Sequence, residues 1–146
     1  MKPAHQIHIN DTNGDCHAAC IASLLEIPIE AMPDFFADTP PYGRNSYVLR
    51  TKWLREQGLQ EVYFLLGSFP VPEGYGILSV KSLLYPNATH AVVWKGDADG
   101  GNQIVHNPNP QDTRGLNIPN EEWVGFWVLA PLDPSLCVRK EMPFGA

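Results

Sequence analysis

Gly58 divides this chain into two stretches of different period. Before it, apolar residues recur at three- and four-residue spacing. After it, short β-branched and aromatic runs alternate with turn residues. The first stretch predicts a helix over Cys16–Glu26, a shorter one over Pro28–Phe36 interrupted at Pro33, and a third over Ser46–Gln57. Ser46 caps the third helix, Tyr47, Leu49 or Arg50, Trp53 and Leu54 form its apolar side, and Gly58 ends it. The second stretch predicts strands at Glu61–Leu66, Gly76–Val80, Ala91–Trp94, Gln103–His106 and Val124–Leu129. Gln6–Ile9 is a candidate edge strand. Helices first and a mainly antiparallel sheet second make an α+β architecture. A chain of 146 residues, 44% of them hydrophobic, is expected to bury one core as a single domain over 1–146.

Charge and cysteine usage narrow the partners. Ten Lys and Arg stand against 16 Asp and Glu, a formal charge of −6, so clustered cations for nucleic-acid phosphates are missing. No apolar run reaches membrane-spanning length, and the first residues have no signal-peptide core. The expectation is a cytoplasmic protein with no nucleic-acid or membrane partner. Three cysteines cannot all pair within one chain, which suits a reducing compartment.

The stretch from Asn13 to Leu25 carries the first chemical signal. Asp11, Thr12, Asn13 and Asp15 are N-cap residue types, Gly14 permits a sharp turn, and Cys16 opens an apolar helical pattern that runs to Pro28. A thiol in the first helical turn meets unpaired backbone N–H groups and the positive end of the helix dipole. Both favour the thiolate. Cys20, one turn on, is read as core.

The second signal is a hairpin. The sequence from Gly96 to Gly101 is turn chemistry between two β-branched runs. A regular hairpin folding between Ala98 and Asp99 sets Trp94 opposite Gln103, Val92 opposite Val105 and His90 opposite Asn107. Such pairs have Cβ atoms about 4.5–5.5 Å apart, within reach of a hydrogen bond between imidazole and carboxamide. A one-residue bulge would bring His106 or Pro108 opposite His90 instead. A histidine that accepts a thiol proton and is itself oriented by an amide is the arrangement that activates a cysteine nucleophile. In that arrangement Cys16 attacks a carbonyl, His90 is base and then acid, and Asn107 fixes the ring. The Cys16 backbone N–H stabilises the oxyanion, with a second donor from Asn10 or, next, Asn13.

A cysteine opening a buried helix, a later His-Ala-Val-Val strand and an Asn-Pro after the next strand resemble the papain-like cysteine peptidase superfamily. The pattern is most similar to the bacterial peptidases that process double-glycine leader peptides, and their small relatives. The matching positions are Cys16, His90 and Asn107 with Pro108, covering about a third of the chain. Two positions depart from that branch: Asn107 stands where it has aspartate, and Asn10 where the superfamily has glutamine. The resemblance implies a papain-like fold and a thiol hydrolase acting on a peptide, isopeptide or amide bond of a peptide or protein, without a cofactor. A deamidase or acyl transferase using the same acyl-enzyme, and a non-catalytic peptide- or protein-binding module on the same fold, remain as alternatives.

Cys16, His17, Cys20, His90 and His106 are also zinc-ligand types, but cysteines at i and i+4 do not make the usual knuckle, so no metal site is expected. Asp97 and Asp99 are read as turn residues, because the rest of a calcium-loop ligand series is missing.

Overall fold

The computed structural model describes residues 1–10, 14–36, 46–67, 73–97, 99 and 101–137. Among them, two α-helices pack on a five-stranded antiparallel sheet, an α+β arrangement. Helix α1 spans Cys16–Leu25 and α2 spans Ser46–Glu56. The strands are β1 (Leu59–Leu65), β2 (Gly74–Lys81), β3 (Thr89–Gly96), β4 (Asn102–His106) and β5 (Trp123–Pro131), in the order β1-β5-β2-β3-β4. No helix among the described residues is long and apolar enough to cross a membrane.

Helix α1 ends where expected. Glu26 takes a left-handed conformation, φ 59°, and the Ile27 N–H returns to the Ala22 carbonyl. The predicted helix over Pro28–Phe36 shrinks to a single 3-10 turn, Ile29–Ala31. Met32 is extended, ψ 137°, because the ring of Pro33 disfavours helical backbone in the residue before it. Helix α2 stops at Gly58, φ 78°, as the sequence demands. Its buried side is the expected one in part: Leu54 is buried, Trp53 packs against the same cluster and Arg50, of the two residues offered at that turn, faces inward to Glu61 of β1, while Tyr47 and Leu49 are exposed. Gln6–Ile9 forms no strand. Its backbone donors go to scattered partners, the Pro108 carbonyl and the Asp15 carboxylate, rather than to one ladder.

The sheet is apolar on both faces at its centre, which is why β3 reads as a continuous hydrophobic run. Ile77, Ala91 and Val93 meet Cys20 and Ile21 of α1 and Leu54 of α2. Leu78, Val80, Val92, Trp94, Ile104 and Phe126 form the other layer, closed by Ile118 from the connection between β4 and β5. Trp94 stacks on Phe126, ring centroids 5.4 Å apart.

The β3–β4 hairpin corrects the expected register. Gly96 pairs with Asn102, Lys95 with Gln103 and Trp94 with Ile104. Asp97 sets this: its carboxylate accepts from the Asp99 and Gly101 N–H groups, and its own N–H donates to the Gly101 carbonyl. The resulting loop holds an odd number of residues, 97–101, so each pair moves by one. A bulge between Val93 and Trp94 then sets Val93 opposite His106.

Candidate functional site

Cys16 opens α1, and of the cap residue types in the sequence Asp15 stands next to it. Asp15 occupies the N-cap position without capping the helix. Its carboxylate instead accepts from the backbone N–H groups of Ile7, 3.1 Å, and His8, 2.9 Å, and so ties the N-terminal segment to the start of α1. Asp11, Thr12 and Asn13 lie outside the described residues. Gly14 is required by a close approach: a Cβ there would lie 2.6 Å from the Asn10 carbonyl oxygen. Gly14→Ala is therefore expected to displace the turn before Cys16 and cost about 1–3 kcal/mol. Urea denaturation checks this, a midpoint equal to the parent's counting against it.

Asp15 leaves first-turn N–H groups to the sulfur. Burial pushes the Cys16 thiol up and dominates. The backbone N–H groups of Ala91, His17 and Cys16 itself pull the other way, and the Asp15 carboxylate adds to the rise. The expectation of a favoured thiolate is thus corrected. The dipole and N–H groups are present, but removal from water outweighs them. The contact with Ala91 brings the sulfur against the residue that follows His90.

His90 lies at the start of β3 and is buried. Its Nε2 donates to Asn107 Oδ1 at 2.8 Å. The contact expected from a regular hairpin is therefore made, but by another route. The ladder ends at His106, and the Asn107 side chain reaches back from the turn beyond it. That turn uses the same oxygen, which also accepts from the Asn109 N–H at 3.1 Å. The amide nitrogen of Asn107 donates to Asp112 Oδ2 and to the Gly115 carbonyl. Arg114 clamps Asp112 and reaches Glu122. Burial acts to raise the Asp112 carboxyl, but hydrogen bonds from Arg114 and Asn107 outweigh it and hold the group below the usual range.

Cys16 and His90 line one cavity of about 360 Å³. No hydrogen bond joins the Cys16 sulfur to the His90 ring, and His90 Nδ1 has no partner among the described residues. Asn10, the first candidate for a second oxyanion donor, lines the cavity; Asn13, the other, is outside the described residues. Sequence reasoning passed over Gln6, which also borders this space. Its amide nitrogen donates to the His8 carbonyl, and its Oε1 is buried without a partner. It also passed over a second buried cluster on the same wall. Glu61 accepts from His17 Nε2 at 2.7 Å and from the Arg50 guanidinium, which lies over Trp127. Neither set has a local motif, since each joins separate elements.

Cys20 is buried in the core and unpaired, and Cys137 is exposed. Among the described residues, no group of three or more His, Cys, Asp and Glu side chains is placed to hold a metal ion.

Three histidines, His90 and His106 buried and His17 partly so, give the fold a pH dependence. Burial lowers His17, His90 and His106 below the ordinary histidine value, more than their partners Glu61, Asn107 and the Ala4 carbonyl raise them. Below about pH 6.5 the unfolded chain binds protons that the folded chain refuses, so stability falls as pH drops through that value. Glu61 and Asp112, held below their usual range, add losses of the same sign at lower pH. Urea midpoints are expected to fall from pH 7.5 to pH 5, and a flat profile would contradict this.

No family model, curated protein or solved structure matches the chain.

Proposed function

We propose that this chain is a small papain-like thiol hydrolase acting on a peptide, isopeptide or amide bond. One observation carries the reading: His90 Nε2 is committed to Asn107 Oδ1 at 2.8 Å, while Cys16, at the head of α1, shares a cavity with that ring. Fixing the proton on Nε2 leaves Nδ1 as the lone-pair nitrogen, the form a general base needs.

The resting pair is thiol and neutral imidazole, since burial raises Cys16 and lowers His90. Proton transfer therefore accompanies attack. The sulfur bonds to the carbonyl carbon as His90 Nδ1 takes the thiol proton, and the carbonyl oxygen gains the negative charge. The Cys16 N–H, with Asn10 or Gln6 as side-chain donor, stabilises that charge. Collapse breaks the C–N bond, His90 returns the proton to the leaving amine, and water releases the acyl group by the reverse route. Deamidation and transfer to another acceptor use the same acyl-enzyme. The raised thiol favours one competing reading, a peptide-binding module in which Cys16 is structural.

The test is intact-mass analysis after mixing with p-nitrophenyl acetate at pH 7. The expected result is a single acetyl adduct on Cys16, formed faster than on free cysteine and absent in Cys16→Ser. Acetylation no faster than free cysteine would overturn the hydrolase reading and favour the binding module.

A further inference from the structure

The Asn107 amide uses all of its hydrogen-bonding capacity. Its two hydrogens go to Asp112 Oδ2, 3.2 Å, and the Gly115 carbonyl, 3.0 Å. Its oxygen accepts from His90 Nε2, 2.8 Å, and the Asn109 N–H, 3.1 Å. Turning the amide over would set an NH2 against the Asn109 N–H and a carbonyl against the Asp112 carboxylate. Asp112 therefore helps to decide which end of Asn107 faces His90, and so which ring nitrogen carries the proton. Its own carboxylate is buried and stands 4.0 Å from His90 Nε2, close enough to act on the ring's charge.

We propose that Asp112 is a positioning residue for His90: it locks the Asn107 amide and supplies the negative charge that an asparagine orienter lacks. This rests on the hydrolase reading above. Asn107 orients the ring, and its hydrogen bond favours the imidazolium that forms when the thiol proton arrives, but it brings no charge of its own. A carboxylate beside the ring lowers the energy of that cation. The other charge facing this side of His90 is Arg114, which opposes the effect and is itself paired with Asp112 and Glu122. The carboxylate is the stronger influence of the two, and burial keeps it from being screened. Asn107 and Asp112 together thus do what a single aspartate does where one orients the histidine directly.

The experiment is an NMR titration of the His90 ring in the full chain, beside the Cys16 acetylation rate. In the parent protein, Nε2 is expected to carry the proton of the neutral ring; an Nδ1-protonated ring would overturn the inference without any variant. Asp112→Asn keeps an acceptor for Asn107 and removes the charge. It is expected to lower the His90 titration midpoint by about one unit and acetylation at neutral pH about tenfold. Asp112→Asn with Arg114→Gln removes both charges and is expected to recover part of that shift. A His90 midpoint unchanged in Asp112→Asn would overturn the role of Asp112 and leave the hydrolase reading standing. Acetylation of Cys16 at the parent rate in His90→Ala would instead overturn the hydrolase reading, and with it this role.

Discussion

His90→Ala is expected to slow acetylation of Cys16 at neutral pH by about 10²–10⁴-fold, the usual contribution of a positioned general base. The size of the effect follows from the resting state. A thiolate already formed by the helix terminus would keep much of its reactivity without the histidine. Here burial holds the sulfur as a thiol above the ordinary cysteine range, so attack depends on a base that takes the proton during the step. The loss therefore depends on pH in a defined way. Raising the pH through the Cys16 value ionises the sulfur without help, and the variant is expected to approach the parent there. On the acid side, His90 is lowered by burial, so the parent keeps a neutral base below the ordinary histidine value of about 6.5. Acetylation rates from pH 5 to 10 check both limbs. A constant ratio of parent to variant across that range would mean that His90 does not take the Cys16 proton.

Glu61→Ala is expected to destabilise the fold by about 3–5 kcal/mol, as a large fall in urea midpoint. The Glu61 side chain is 4% exposed and joins three elements. It accepts from Arg50 of α2 through Nε and Nη2, and from His17 of α1 at 2.7 Å. Removing it leaves the Arg50 guanidinium, itself 12% exposed, without its carboxylate above the Trp127 ring. The cost is that of a stranded cation more than of a lost attraction. Arg50→Met with Glu61→Leu is accordingly expected to recover most of the stability, because neither charge is then left alone. A Glu61→Ala midpoint indistinguishable from the parent's would show that water replaces the carboxylate.

These two residues mark the limits of what the sequence discloses. Helix α1, with Cys16 at its start, was legible because cap residues, apolar period and a following proline agreed on it. The five strands were legible from their β-branched and aromatic runs. The contact of His90 with Asn107 was anticipated from the hairpin, yet the register behind that expectation was off by one residue or more. The Asp97 side chain sets the loop, and a bulge at Val105 has no local signature. The contact forms because Asn107 lies just past the ladder, where its side chain is free to turn back. Glu61 and Asp112 were not legible as site residues. A charged residue in a strand or turn reads as solvated until the element across from it is known. The sign of the Cys16 shift is hidden for a related reason: helix position is local, and burial is not.

The position of β5 bears on how the molecule comes into being. Among the described residues, the last strand lies between β1 and β2, and β1 pairs only with it. On a ribosome, Cys16, His90 and Asn107 all emerge before that strand does. Among the described strands, β5 is the link between two parts of the sheet: β2–β3–β4, with His90 and Asn107 at its end, and β1 with Glu61 beside α2. Before β5 emerges, both the β2 edge and β1 offer unpaired backbone to other chains. His90 with Asn107, and Glu61 that braces α1 and α2, come to share one sheet only through β5.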